Sequence, residues 1–316
     1  MKYAAKKIVW MLLTMVIVSF LAFLAFRIIP GDPTAKLLGE QATPERVEAL
    51  RQELGLDRPF AVRYLEWLAG FFTGDLGISY SYSQPVWELI APKVGITLCL
   101  SLLSFALIAV VSIPLGLWAS RGHSRVGDAV GTVLDQLCMA VPPFFTGILF
   151  TYLFGLVLHL FIAGAFPAGG VGHYIGYLFF PALAVALPRI AMTVKLLRTS
   201  ILDEAQRDYV RTSMSRGRSR SGILYRHVLK NTLVPVLTFL AMTVADLLAG
   251  SVVIEQVFAV PGLGRLLLTS IEGRDEPVAR AIVVLLAFAV ILCNLLADLL
   301  ARRIDPRLGS GAGGAA

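Results

Sequence analysis

The chain has 316 residues, 57% of them hydrophobic and only 16% charged, with a mean hydropathy of +0.75. That composition excludes an ordinary water-soluble enzyme and marks the bilayer as the solvent. The formal net charge of +7 lies beside apolar runs, a pattern of membrane orientation rather than of a nucleic-acid surface, so no nucleic-acid partner is expected.

A helix needs roughly 20 apolar residues to cross a hydrocarbon core of about 30 Å. Ile8–Phe26 meets this without a charge. It is too long for a signal-peptide core and lacks a small-x-small cleavage site after it, so it is expected to stay as the first span. Residues 31–93 follow as a long polar loop with a short amphipathic helix. There Thr43 reads as N-cap, Pro44 as first helical residue, Val47, Leu50 and Leu54 as the apolar stripe, and Gly55 as the stop. Tyr64, Trp67, Phe71 and Phe72 suit an interfacial aromatic belt.

Val94–Ser120 is a second uncharged run. The stretch from Leu137 to Pro188 has no Asp, Glu, Lys or Arg, and PAGG at 167–170 divides it. Two spans, about 128–162 and 175–197, are predicted on either side of that turn. Asn231–Ile254 and Ala281–Ala301 complete six. The predicted fold is an all-α integral membrane protein with residues 1–30 as terminus and first span, 94–307 as the core and 308–316 as a flexible tail. Cys99, Cys138 and Cys293 each sit inside an apolar run without metal or CxxC spacing, so neither a disulfide scaffold nor a metal site is expected.

Basic residues in alternate loops set the orientation. Lys195–Lys230 carries nine Lys or Arg against three acids, whereas 31–93 carries six against nine. Both termini and the 195–230 loop are therefore placed in the cytoplasm, and the 31–93 loop outside.

The segment 208–230, DYVRTSMSRGRSRSGILYRHVLK, should form a short helix, a turn at Gly217 and a rise into the fifth span. A bulky residue at Gly217 would hinder a tight reversal or a close partner backbone. Its arginines suit either acidic groups on a soluble partner or anionic lipid heads. No GxxxxGK[ST] phosphate loop occurs in the chain, nor any paired acid and base, nucleophile triad or metal set. No catalytic residue and no cofactor are thus assigned to it.

Near the outer surface, Val257-Phe258 runs into Pro261-Gly262-Leu263-Gly264, a rigid turn followed by flexible positions. A gate and a structural re-entrant turn both fit it. Asp135, Asp246 and Asp298 lie in or near spans, where charge is costly and faces protein or a cavity. Asp298 is expected to pair with Arg302, and Asp135 to pair across the bundle. Asp246 suits either a peptide's amino group in a pathway or a partner on a neighbouring helix. His159 and His173 look like interface residues.

The 208–230 segment resembles the coupling loop of binding-protein-dependent ABC importer permeases, and more narrowly the first permease of the oligopeptide/dipeptide branch. Arg211-Thr212-Ser213 stands where EAA would, Gly217 is the motif glycine, and His227-Val228-Leu229-Lys230 replaces I-x-L-P. Further landmarks are Ile29-Pro30-Gly31-Asp32-Pro33, Leu54-Gly55-Leu56-Asp57, Gly74-Asp75-Leu76-Gly77, Pro114-Leu115-Gly116, Glu255-Gln256-Val257-Phe258, Arg274-Asp275 and Asp305-Pro306-Arg307. The resemblance implies a subunit of the bacterial inner membrane that pairs with a second homologous permease amid membrane lipids. Two ABC ATPase subunits would hold ATP and Mg, receiving Asp208, Tyr209, Arg211, Thr212, Ser213, Gly217 and His227. An extracytoplasmic binding protein would deliver cargo at an outer mouth around Phe258, Pro261, Gly262 and Gly264. Di- or oligopeptides are the implied cargo, with nickel complexes, glutathione or oligosaccharides as branch alternatives. A secondary transporter would need paired carboxylates in repeated halves, and no such duplication is visible.

Overall fold

The computed structural model describes residues 2–28, 33–39, 42–121, 125–167 and 171–304. The landmarks at 29–32 and 305–307, the tail and the Arg302 side chain fall outside them, as do residues 168–170 of the PAGG turn. The described residues are helical apart from loops and one isolated bridge, Ile78 to Pro85. The helices are α1 (Lys2–Ile28), α2 (Pro33–Leu38), α3 (Pro44–Glu53), α4 (Phe60–Thr73), α5 (Val86–Ala119), α6 (Arg125–Ala140), α7 (Pro143–Phe150), α8 (Val171–Ala205), α9 (Asp208–Ser215), α10 (Arg220–Ile223), α11 (Leu229–Val257), α12 (Leu263–Gly273) and α13 (Glu276–Ile304). Wider π turns run over Thr151–Val157 and Leu224–Val228.

Five described helices are long and apolar enough to cross a membrane. The expected third span, 128–162, is not one rod. Val126–Ala140 and Pro143–Val157 meet at 97°. The cause is Pro142-Pro143, since a proline lacks the N–H that would continue the helix and pushes its predecessor out of the helical region. A sixth span exists only if this bent pair is counted as one. The second span starts at Val86 rather than Val94, so it carries Glu88 and Lys93 that an uncharged window leaves out.

The chain divides into two compact units, Met1–Thr97 with Pro261–Ile291, and Leu98–Val260 with Leu292–Ala316. In the first, Val86, Ile90, Leu263, Leu266, Val278, Ala281 and Ile282 form a buried apolar core. The α3 cap is made as the sequence predicts, with Thr43 Oγ1 accepting from Arg46 N at 3.4 Å and Gly55 in the left-handed region at φ +64°. Tyr64 and Trp67 of α4 pack against α1 instead of standing in a belt. Tyr64 is buried, its hydroxyl 3.0 Å from Ser19 Oγ, and its ring packs edge-on to Phe20 and Phe23 of α1. Trp67 leans on Phe23 and Phe71, and Phe72 is exposed.

The second unit is built on α8, which continues through Pro181 and Pro188 and packs along α6, α7 and α11. Lipid is as apolar as leucine, so spans associate through close van der Waals fit and small residues. Gly147 supplies such a fit, because a Cβ there would stand 3.1 Å from the Phe258 ring and 3.2 Å from Val257.

Candidate functional site

Helix α9 carries most of the residues singled out in the basic loop, and its seating is specific. Val210 is buried, while the Tyr209 hydroxyl donates to Glu204 Oε1 at 3.0 Å. The same oxygen accepts from Asn231 Nδ2 at 2.9 Å. Glu204 belongs to the last turn of α8 and Asn231 to the first turn of α11. One carboxylate thus ties the α9 helix to the ends of two spanning helices. Desolvation and the bond to Glu204 push the Tyr209 phenol above its ordinary value.

The rest of the loop is ordered by its own backbone. Ser213 Oγ donates to Tyr209 O at 2.8 Å and Thr212 Oγ1 to Asp208 O at 3.0 Å. At Gly217 the chain reverses with φ +76°. No atom lies within 4 Å of a Cβ built there, so within this chain the glycine serves backbone geometry rather than close packing. Past the turn, Arg218 Nη1 lies 3.0 Å from His227 Nε2, in the π turn that feeds α11. Arg121 donates to the Tyr225 hydroxyl of the same turn. The side chains of Asp208, Arg211, Thr212, Arg216 and Arg218 stay exposed.

Phe258 belongs to the second unit and Pro261, Gly262 and Gly264 to the first. Phe258 is fully buried, packs on Phe161, and its carbonyl accepts from the Tyr177 hydroxyl at 2.7 Å. Gly262 caps α12, and Gly264 lies buried in that helix's first turn. The flexible stretch expected after Pro261 is therefore helix. At the start of α12 the Thr97 Oγ1 accepts from Leu263 N at 2.9 Å.

Asp246 accepts from Arg189 at 3.0 Å. Asp135 lines a groove of about 510 Å³ between α5, α6 and α8, with Leu134, Cys138, Leu187 and Arg198 around it. Across that groove Arg198 pairs with Asp128 at 2.8 Å. No ion pair reaches Asp135 among the described residues. His159 adopts φ +54°, and His173 is exposed. No group of three metal-ligating side chains converges among the described residues.

Residues 112–310 match the family of binding-protein-dependent transport system inner membrane components. Residues 1–101 match that family's N-terminal region. The chain belongs to this family. It is a multi-pass inner membrane component of a binding-protein-dependent transport system. It is 38% identical over 310 residues to a Brucella abortus protein named for a peptide transport system permease, covering 96% of this chain and 97% of the relative. It is 33% identical to a glutathione transport system permease protein of Pectobacterium atrosepticum, over 98% and 99% of the two chains. A solved structure of the inward-facing MetNI methionine ABC transporter shares the fold, with a TM-score of 0.53 at 17% identity over 69% of this chain and 96% of that one.

Glu204 and Arg189 escape sequence reading, whereas Asn231 opens the Asn231-to-Pro235 stretch that shares in the family resemblance. Glu204 is one of three acids in the basic stretch from Lys195 to Lys230, which is a usable signal. Asn231 stands between Lys230 and Thr232 at the head of an apolar run. Arg189 lies in an otherwise apolar part of α8 and bears the same cost of charge at depth that singles out Asp246.

Proposed function

We propose that the chain is one of two transmembrane subunits of an ATP-driven peptide importer, with its termini in the cytoplasm and the 31–93 segment outside. The observation that carries this reading is the α9 joint. A short helix that leaves Asp208, Arg211 and Thr212 exposed is fastened through Glu204 to both α8 and α11, so a push on α9 tilts two spans together. The chain has no phosphate loop of its own. The push comes from two cytoplasmic ATPase subunits, which hold ATP and Mg and receive Asp208, Arg211, Thr212 and Gly217.

ATP closure moves the α9 helices, and the spans pass from inward-facing to outward-facing. A binding protein delivers cargo on the outer side near Phe258 and Pro261. A second homologous permease completes the pathway, and lipid surrounds both. Peptide cargo follows from the Brucella relative. Glutathione, itself a short peptide, is the second reading, favoured by the Pectobacterium relative. Nickel complexes and oligosaccharides rest on branch resemblance alone.

The test is a mild-detergent pull-down of the tagged chain, followed by reconstitution of what it captures. A second permease, P-loop ATPases and ATP-dependent peptide uptake are expected. Transport by this chain alone, without ATP, would overturn the reading in favour of a secondary transporter.

A further inference from the structure

Arg189 lies midway along α8, about 25 Å from either helix end at 1.5 Å per residue, and Asp246 faces it from the second half of α11. Their Nη2–Oδ2 distance is 3.0 Å, and the side chains remain 31% and 53% exposed. The pair is therefore closed on one side only. An open carboxylate within a span is costly in hydrocarbon, so charges in spans face a water-filled cavity or another protein. The pair is not consumed by buried polar groups of the two helices. Thr193 and Thr243 nearby are satisfied by carbonyls of their own helices.

From Met242 onward the exposed positions of α11 fall at three- and four-residue spacing, Met242, Asp246, Ala249, Val253 and Gln256, and nearer its start Asn231, Pro235 and Leu237 are exposed. Asp246 is the only charge among these. Methionine is flexible and polarizable and suits surfaces that meet varied shapes. A wall of this kind distinguishes side chains poorly, while an ion pair distinguishes charge well.

We infer that Arg189 and Asp246 form a pathway site for zwitterionic short peptides, Asp246 taking the α-ammonium group and Arg189 the carboxylate. This rests on the peptide-importer reading above. The two termini are what all unblocked peptides share, whatever their side chains. At rest the pair neutralises itself, so neither charge stands alone to draw in ions. Cargo exchanges partners with it and leaves the net charge unchanged. The observed contact uses one nitrogen of a guanidinium that offers five N–H donors. A dipeptide spans about 7 Å, a separation that the long arginine side chain accommodates by swinging aside.

The experiment uses the assembled complex with its binding protein in proteoliposomes, comparing uptake of Ala-Ala-Ala, its N-acetyl form and its C-terminal amide. The binding protein's own preference is the same for every variant and cancels in the ratios. Asp246→Asn should cut the preference for the free over the acetylated amine by roughly two- to fivefold, the worth of one partly exposed charge pair. Arg189→Gln should do the same for the free carboxylate over the amide. The double variant R189Q/D246N leaves no unpaired charge and covers the case in which a single variant fails to insert. It should lose both preferences.

Wild-type preference ratios in the double variant would overturn the assignment. So would a loss of co-purification with the second permease in the single variants, which would make this an interface pair. A wild-type complex with no ATP-dependent peptide uptake would instead sink the importer reading itself.

Discussion

Ser79 and Asp275 are 196 residues apart and meet in a buried hydrogen bond. Asp275 is fully buried and also accepts from Tyr80 N at 3.1 Å and Ser81 N at 3.2 Å. The carboxylate between α12 and α13 thus fixes the turn that leads into α5. Asp275→Asn would aim an N–H₂ at one of these donors, and Asp275→Ala would orphan all three. Leaving buried donors unmet costs about 1–3 kcal/mol each. We expect a loss of about 3 kcal/mol for the alanine variant, read as a lower melting temperature and as protease cleavage between Gly74 and Pro85. An unchanged melt would mean that the turn stands without the carboxylate.

Gly116 faces Leu197 across α5 and α8 in the second unit. A Cβ at 116 would lie 2.8 Å from Leu197 Cδ2 and 3.1 Å from its Cβ. Alanine requires Leu197 to shift, and valine cannot be housed without moving a helix. Overpacking of this kind costs about 1–3 kcal/mol. Gly116→Val should therefore lower the melting temperature, and the added change Leu197→Ala should recover much of it. Independent, additive losses would show that the two positions do not press on one another.

The Glu204 joint predicts a coupling defect with little change in expression. Tyr209 and Asn231 both donate to one oxygen, so removal of either leaves the other in place. Tyr209→Phe and Asn231→Ala should each raise the ATP hydrolysed per cargo molecule modestly. The double variant should match Glu204→Ala, with a non-additive interaction energy of about 0.5–3 kcal/mol in stability. Strict additivity, or an unchanged ATP-to-cargo ratio in Glu204→Ala, would remove the joint from the transmission path.

Five of the spanning helices were legible because each is an apolar run of sufficient length with few charges. The break at Val141 was hidden by the same criterion, since hydropathy does not register direction, and only the Pro142-Pro143 pair marks it. Helix α3 was legible down to its cap because Thr43, Pro44 and Gly55 act locally. Tyr64 and Trp67 were misread because an aromatic residue near a span suits a belt and a helix-to-helix staple equally, and the choice depends on where α1 lies. The pairings of Arg189 and Asp275 were out of reach for the same reason. Their partners are distant in the chain, and only folding brings them to hydrogen-bond range.

The raised phenol of Tyr209 gives the joint a defined pH window. An acid whose folded pKa lies above its unfolded value stabilises the fold fully below the unfolded value, about 10 for tyrosine. That stabilisation is lost as pH climbs through the raised folded value. The melting difference between the wild type and Tyr209→Phe should thus be flat from about pH 6 to 9 and shrink above about pH 10. A difference that shrinks already between pH 7 and 9 would contradict the direction of the shift and its cause, desolvation aided by Glu204.

Gly217 separates two effects that the loop motif alone confounds. Its φ of +76° costs a side-chain-bearing residue about 1–2 kcal/mol, with Asn several-fold less averse to that region than valine. The space around it is empty within this chain. Gly217→Asn should therefore leave the melting temperature of the isolated chain nearly unchanged, and Gly217→Val should lower it. If an ATPase subunit packs against this turn, both variants should weaken its capture in a pull-down, because either side chain fills the same free space. Capture that follows the melting temperature, intact for Asn and reduced for Val, would mean that the glycine shapes the turn and no partner backbone lies against it.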